Sequence, residues 1–302
     1  MYSPIVKSYF SGAGGLDEGF VQAGLTVAES LELDPVACKT LRMNFNHHVN
    51  EADITQQTVL GKRDCDVMSF TFPCTRYSKM ANLHGTRTGE ELFLHAFRHA
   101  ALYRPEAYCI ENVVGLRKFR IVMEAFTALP DYYVQVFCPL NATNWLPQKR
   151  KRLIIIATKK KFFIQEPAPC VRRPTIKDIL ESNVEFELPF YVKQRISGKY
   201  RDLPVIIDPN DKYAIAPTAC AHYGKDLGQI LVKDDSHPDK LRPFTEREFA
   251  RLQGFPDSFE FAGAKTDVYR QIGNAVPPPM GRWIGLQLLK YFNQNNSGRI
   301  AA

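Results

Sequence analysis

Cysteine is sparse and unorganised in this chain of 302 residues. The seven cysteines, Cys38, Cys65, Cys74, Cys109, Cys138, Cys170 and Cys220, are scattered, and no two form a Cys-x-x-Cys pair. An odd, dispersed set argues against both a disulfide framework and a zinc site, so no metal is expected. Long apolar runs are missing too. None approaches the roughly 20 residues that a bilayer span requires, which removes a membrane from the expected partners. The first residues, Met1-Tyr2-Ser3-Pro4, lead straight into a strand-like segment without a signal-peptide pattern. A cytoplasmic protein is expected. Internal repeats and low-complexity blocks are also absent, so the chain does not read as a solenoid.

What remains is the composition of an ordinary globular protein, 45% hydrophobic and 24% charged. The length allows one large domain or two unequal ones. The formal net charge is +7, and it is unevenly spread. Residues 149–201 hold 14 Lys/Arg against 5 Asp/Glu, a local excess of +9. Such a strip suits a polyanion such as nucleic acid, or is simply a solvated face.

The first half alternates short β-rich runs with amphipathic stretches. Strands are predicted at 5–10, 25–33, 65–70, 107–110, 133–137 and 153–158, with helices at 16–23, 35–44, 90–103 and 121–128. This alternation predicts βαβ units and a mostly parallel sheet with helices on both faces. Ligands of such sheets bind beyond the carboxyl ends of the strands. Regularity is lost after Glu166, where prolines punctuate short segments. Helical patterns return at 245–253 and 279–292. The expected organisation is a large domain, residues 1–168 completed by 268–302, with a smaller irregular domain at 169–267.

After the first strand comes Phe10-Ser11-Gly12-Ala13-Gly14-Gly15, a glycine cluster that allows a tight turn and close approach of a ligand to the backbone. No Gly-Lys-Ser/Thr follows, so it is not a P-loop. Glu32 falls 20 residues after Gly12, the usual distance for a carboxylate that accepts from ribose hydroxyls. Asp53, in Ala52-Asp53-Ile54, is a second carboxylate at an expected strand end. Together these residues outline a nucleoside pocket without a pyrophosphate cradle. That fits an adenosyl cofactor better than a dinucleotide.

The segment Phe70-Thr71-Phe72-Pro73-Cys74-Thr75-Arg76 runs from an apolar strand into a polar loop. Pro73 restrains the backbone ahead of Cys74, and Arg76 and Lys79 favour a thiolate. Ile110-Glu111-Asn112-Val113 puts a carboxyl at the end of another parallel strand, on the same rim of the sheet. A thiolate and an acid suffice to activate a pyrimidine. The sulfur adds to ring carbon 6 while Glu111 holds a proton at ring nitrogen 3, and carbon 5 becomes nucleophilic.

From Phe10 to Pro279 the order of motifs resembles the DNA (cytosine-5) methyltransferase family, of the bacterial or phage modification-methylase type. The glycine loop, Pro73-Cys74 and Glu111-Asn112-Val113 match its cofactor, nucleophile and base-binding motifs. Gln148-Lys149-Arg150-Lys151-Arg152 matches its Gln-x-Arg-x-Arg motif. Arg251-Leu252-Gln253-Gly254-Phe255-Pro256 and Gln271-Ile272-Gly273-Asn274-Ala275-Val276-Pro277 complete the set. The chain departs from the family at Thr75, where Gln is usual, and at Phe70 and Thr71, where glycine is common.

The resemblance implies a Rossmann-like α/β methyltransferase domain that uses S-adenosyl-L-methionine, with a smaller target-recognition domain. It implies cofactor contacts from Phe10, Gly12, Gly14, Glu32, Asp53, Ile54, Pro73, Leu92, Asn274 and Val276. Cys74 matches the nucleophile and Glu111 the residue at the Watson–Crick edge of the base. Arg152 and, less directly, Arg150 match arginines that orient the cytosine and nearby phosphates. Ser78, Lys79, Gln148, Lys193, Arg195, Lys199 and Arg201 are expected at the DNA. The implied partner is double-stranded DNA carrying a short recognition site, bound by a monomer at the nucleoid. A restriction endonuclease acting on the same site is a further implied partner. A transfer-RNA cytosine-5 methyltransferase shares these core motifs and stays open as the alternative. A silent DNA-binding homologue is opposed by the intact Cys74, Glu111 and Arg152, and a nucleotide-dependent oxidoreductase by the missing pyrophosphate fingerprint.

Overall fold

The computed structural model describes residues 2–59, 64–73, 92–168 and 172–296. Its elements run β1 (Ile5–Tyr9), α1 (Gly15–Ala23), β2 (Thr26–Glu32), α2 (Pro35–Asn44), β3 (His48–Glu51), β4 (Val67–Phe70), α3 (Leu92–Tyr103), β5 (Ala107–Val113), α4 (Arg120–Thr127), β6 (Tyr133–Asn141) and β7 (Lys151–Thr158). They continue through α5 (Ile176–Ile179), α6 (Phe190–Ser197), β8 (Val205–Ile207), β9 (Ile230–Lys233), β10 (Leu241–Arg242), α7 (Glu246–Gln253), α8 (Lys265–Asn274) and α9 (Pro278–Asn296). The helix expected over 90–103 is seen from Leu92, since residues 74–91 lie outside the described residues.

The described chain divides into two compact units, one of residues 1–141, 151–167 and 278–302, the other of 142–150 and 168–277. Residues 142–150 and 268–277, assigned to the large domain by the sequence, cluster with the second unit. The reason for the latter is packing: α8 lies against α7 and the turn at Tyr223–Lys225.

The first unit is built on a seven-stranded sheet of order β3-β2-β1-β4-β5-β7-β6. Pairs β1–β2, β1–β4, β2–β3 and β4–β5 are parallel, and β7 runs antiparallel to both β5 and β6. The expected mostly parallel α/β sheet is present. Central strands read as continuous apolar runs because both faces are covered: β4 is buried throughout, as is β7 from Leu153 to Thr158. The edge strand β6 is only partly buried.

Helix α1 packs along α9 at close range. A Cβ on Gly19 would stand 2.5 Å from the Pro278 carbonyl oxygen and the Arg282 amide nitrogen, so only glycine fits at that crossing. The order of the sheet reverses at β1, whose neighbours β2 and β4 lead away on opposite sides. The crevice at the carboxyl ends of β1 and β4 is therefore the ligand site that the topology favours.

The second unit carries a three-stranded sheet, β10-β9-β8, with β8 parallel and β10 antiparallel to β9. Its core stacks Tyr223 on Phe249, ring centres 4.6 Å apart, with Tyr269 edge-on to both. Arg242 is buried against Asp234 (2.6 Å) and Glu248 (2.7 Å). Glu248 also closes a capping box with Thr245 at the start of α7. No helix among the described residues is long and apolar enough to cross a membrane.

Candidate active site

The glycine loop leaves β1 with three consecutive alternate residues at positive φ: Phe10 (61°), Gly12 (55°) and Gly14 (85°). A Cβ on Gly14 would stand within 2.7 Å of Leu41 and Phe45, so glycine is required there twice over. A Cβ on Gly12, by contrast, would meet nothing within 4 Å. The loop thus presents its backbone to open space.

Glu32, at the end of β2, holds this loop. Its Oε2 accepts the Gly12 N–H at 2.7 Å, and its Oε1 accepts the N–H groups of Leu33 and Asp34 at 2.8 and 2.9 Å. A carboxylate offers about four acceptor sites, so capacity remains for a ligand hydroxyl. Asp53 caps the turn at Ile54–Gln56 by accepting the Thr55 N–H at 2.8 Å, and that bond holds its carboxyl below the usual range. Arg98 of α3 donates to the carbonyls of Ile54 and Gln57, fixing the same turn. Phe10, Ile54, Phe72 and Leu92 share one apolar cluster. Backbone open at Gly12, a carboxylate with spare acceptors and apolar walls together fit an adenosyl group. The residues of the first unit named for the cofactor are thereby brought to one rim; Gly14 supports the turn from behind.

On the same rim, β4 ends at Phe70 and β5 at Val113, in register at Phe70–Ile110. Thr71, which stands where the family often has glycine, donates its hydroxyl to the Phe10 carbonyl at 2.7 Å. Asn112 is buried and donates to the Phe72 carbonyl at 2.9 Å. These two side chains tie Phe72-Pro73 to β1 and β5. Neither was singled out as a site residue by sequence reasoning, although Asn112 lies inside a recognised motif. Cys74 follows Pro73 directly in the chain; it, Ser78 and Lys79 lie outside the described residues.

Glu111 is 8% exposed and pairs with Arg152, Oε1 to Nε at 2.9 Å. The pairing follows from register. Val113 lies opposite Arg152 and Glu111 opposite Ile154, so Glu111 and Arg152 share a face on neighbouring antiparallel strands. The arginine also donates to the Lys151 carbonyl, which sets its guanidinium in place.

Gln148 and Arg150 behave differently. Gln148 has no exposed surface; its Nε2 donates to the Leu252 carbonyl and Gln253 Oε1, and its Oε1 accepts the Ala219 N–H. Arg150, 1% exposed, donates to the carbonyls of Ala219, Gly273 and Ala275. A cation there answers the unpaired carbonyls at the end of α8. The expectation that these two reach the substrate is corrected: both are interior props of the second unit. Arg150 brackets Asn274, which is exposed, and Val276 is buried close by.

The expected DNA cations of the second unit also divide. Arg195 is held by Asp226 at 2.9 and 3.0 Å. Lys193 lies between Glu187 (3.8 Å) and Asp239 (3.7 Å). Lys199 and Arg201 are exposed and form no ion pair among the described residues; Lys212, further along the same unit, is exposed in the same way. Lys212 lies 4.9 Å over the exposed ring of Tyr213.

The sequence profile of the C-5 cytosine-specific DNA methylases matches residues 6–290. The chain belongs to this family. A DNA cytosine-5 methyltransferase takes its methyl group from S-adenosylmethionine. The chain is 31% identical to the Type II methyltransferase M.NgoMIV of Neisseria gonorrhoeae, covering 95% of this chain and 97% of that one. It is 29% identical to M.Sau96I of Staphylococcus aureus over 95% of this chain and 76% of the relative. Among solved structures, a putative DNA modification methyltransferase from an E. coli prophage shares the fold with a TM-score of 0.71 at 22% identity, covering 96% of this chain and 100% of that one. The Entamoeba histolytica methyltransferase EhMeth does so with a TM-score of 0.78 at 19% identity, covering 98% and 99%.

Proposed function

We propose that this enzyme methylates carbon 5 of a cytosine flipped out of a short duplex sequence, through a covalent adduct with Cys74 assisted by Glu111. The observation that carries the reading is the Glu111–Arg152 pair, at the same rim as the Phe72-Pro73 segment that Asn112 anchors. Carbon 5 is out of reach inside a stacked duplex, so the base must leave the stack at a cost of about a few kcal/mol.

The Cys74 thiolate forms a bond to carbon 6, and the electron pair of the 5,6 double bond becomes available at carbon 5. Glu111 holds a proton at ring nitrogen 3, which draws the displaced charge toward the ring nitrogen and carbonyl. Arg152 positions Glu111 and keeps donors for the cytosine or a flanking phosphate, for which its planar fork is suited. When bound, the cofactor would supply an electrophilic methyl to carbon 5 and keep the electron pair of the broken methyl–sulfur bond. Carbon 5 then loses its hydrogen as a proton to solvent, the 5,6 double bond re-forms, and the thiolate leaves carbon 6. Glu32, Asp53 and the Gly12 backbone bind the cofactor's adenosyl part, with Phe10, Ile54, Pro73 and Leu92 as apolar wall. Ser78 and Lys79 serve as DNA contacts beside the nucleophile.

The enzyme reads DNA through the second unit, with Lys199, Arg201 and Lys212 as the cations free to meet phosphate or base. It acts as a monomer on the nucleoid in the cytoplasm, as the modification partner of a restriction endonuclease of the same specificity. The similarity to Type II methyltransferases over nearly the whole chain supports duplex DNA over transfer RNA as substrate. Bisulfite sequencing of plasmid DNA treated with the purified enzyme tests this. Methylation confined to one short sequence is expected; greater turnover on transfer RNA than on duplex DNA would overturn it.

A further inference from the structure

A carboxyl group that the reaction does not use lies directly beneath the cofactor loop. Asp17, the third residue of α1, has no exposed surface. It sits over a row of small polar residues: Ser30, Ser8, Ser69 and Cys109 lie side by side on β2, β1, β4 and β5, in register. All four are buried. Ser30 Oγ donates to Asp17 Oδ2 at 2.7 Å. That is the carboxyl's one hydrogen bond among the described residues: Oδ1 is buried without a partner, and Ser8 and Ser11 lie near enough to favour the charged form. Ser11 is the first residue after Phe10; its hydroxyl donates to the Ser8 carbonyl at 3.1 Å, and its own carbonyl accepts the Gly14 N–H at 2.9 Å. Asp17 thus stands where the end of β1, the glycine loop and the start of α1 meet.

A buried carboxylate is costly, and an apolar residue would pack this site at less expense. Burial pushes Asp17 up to about 6, with Glu32 adding to the rise and the serine hydroxyls opposing it. The other titratable groups around it are Cys109 of β5, pushed up by burial, and His47, whose Nε2 lies 2.7 Å from Ser30 Oγ. Burial holds His47 down at about 4, so it stays neutral above that pH. Helix α9 meets α1 through Gly281 and Gly285, against Leu16, Phe20 and Ala23.

We propose that Asp17 is a positioning residue for the cofactor: its carboxylate, bonded to the Ser30 hydroxyl, ties the start of α1 to β2 and so fixes the glycine loop in its binding shape, and loss of its charge loosens that loop. The proposal rests on the glycine loop being the cofactor site. The reasoning is electrostatic. Hydrogen bonds from hydroxyls to an anion are about twice as strong as those between neutral groups, and in a dry interior the difference is felt at the loop they hold.

The test is the dissociation constant for S-adenosylmethionine and for S-adenosylhomocysteine, measured by calorimetry from about pH 5 to about pH 8. Wild type is compared with Asp17→Asn, which keeps the shape and one acceptor. The ratio of variant to wild-type constants is expected to be about tenfold near pH 8 and about one near pH 5, where both side chains are neutral. Taking the ratio cancels titration of the ligand itself. Ser30→Ala, which removes a bond to the charged form, should move the change in ratio to higher pH when compared with Asp17→Asn in the same background. A merely structural role predicts a ratio that does not vary with pH, and that result would overturn the proposal. Gly12→Val tests the loop independently of Asp17. It should abolish binding at every pH; retained binding would remove the loop as the cofactor site, and the proposal with it.

Discussion

Arg152 and Glu111 face one another across the β5–β7 boundary, Nε to Oε1 at 2.9 Å, because β7 runs against β5 and begins where β5 ends. A parallel strand in that place would enter from the opposite edge of the sheet. The reversed β7 is what delivers an arginine to the carboxylate.

From this pairing we expect Glu111→Gln and Arg152→Ala each to lower kcat by roughly 100-fold or more, the usual scale for a positioned acid or its partner. The double variant should fall little further, since residues that act as a unit are not additive. Single-turnover methylation of a duplex measures this, with cofactor affinity changing by less than about threefold. Fully additive losses would mean that the two side chains act separately.

Arg150 gives the opposite pattern. Its three carbonyl partners are buried, so Arg150→Ala takes a donor from each, although Gln253 Nε2 still donates to the Ala275 carbonyl at 3.3 Å, and should cost about 2 kcal/mol of stability. Denaturant melting checks this. A variant that melts normally but binds DNA weakly would restore Arg150 to the substrate contacts.

The cations of the second unit supply a third expectation. Removing Lys199 or Arg201, which form no ion pair among the described residues, should weaken DNA binding and reduce the salt dependence of affinity by about one unit of slope each. Removing Arg195, which is engaged with Asp226, should destabilise the fold and leave the salt slope unchanged. Titration of a fluorescent duplex at several salt concentrations distinguishes the two groups. An equal loss of slope at all three positions would contradict the division.

The buried Asp17 makes stability depend on pH in a definite direction. Its carboxyl is raised in the folded protein from an ordinary value of 3.8 to about 6, so the folded state holds the proton more tightly than the unfolded chain. That contribution is fully present below pH 3.8 and is lost as pH rises through about 6. The stability of wild type relative to Asp17→Asn should therefore fall by about 3 kcal/mol between these limits. Parallel melting curves of the two proteins across this range would contradict it.

Much of the first unit was legible in the sequence because its signals are redundant. The apolar runs of β4 and β5, the glycines around α1 and the acid at the end of β2 all point to a mostly parallel sheet and one rim. Strand β3 was anticipated only as a strand end before Asp53, without a range, since His48-Val49-Asn50-Glu51 has a single apolar residue and draws its stability from pairing with β2. Helix α8 was missed for want of a start signal: Ala264 precedes it, where Ser, Thr, Asp or Asn would mark an N-cap. The basic run from Lys149 to Arg152 misled for a geometric reason. It reads as a uniform surface strip, yet the extended backbone alternates its side chains: Lys149 and Lys151 are exposed, Arg150 is buried and Arg152 turns toward Glu111. Charge alone cannot show that alternation. The tie from Asn112 to Phe72 joins residues 40 apart, and only the folded sheet brings them together.

The central claim concerns Cys74, beside which Asn112 and Thr71 fix the chain. Incubation with S-adenosylmethionine and a duplex carrying 5-fluorocytosine in the target sequence tests it directly, since fluorine at carbon 5 blocks the proton loss that releases the enzyme. Wild type should form a denaturant-resistant protein–DNA complex, with the DNA attached to the peptide containing Cys74. Cys74→Ser should bind S-adenosylmethionine yet form no such complex. A stable adduct in that variant, or methyl transfer at the wild-type rate, would contradict the account.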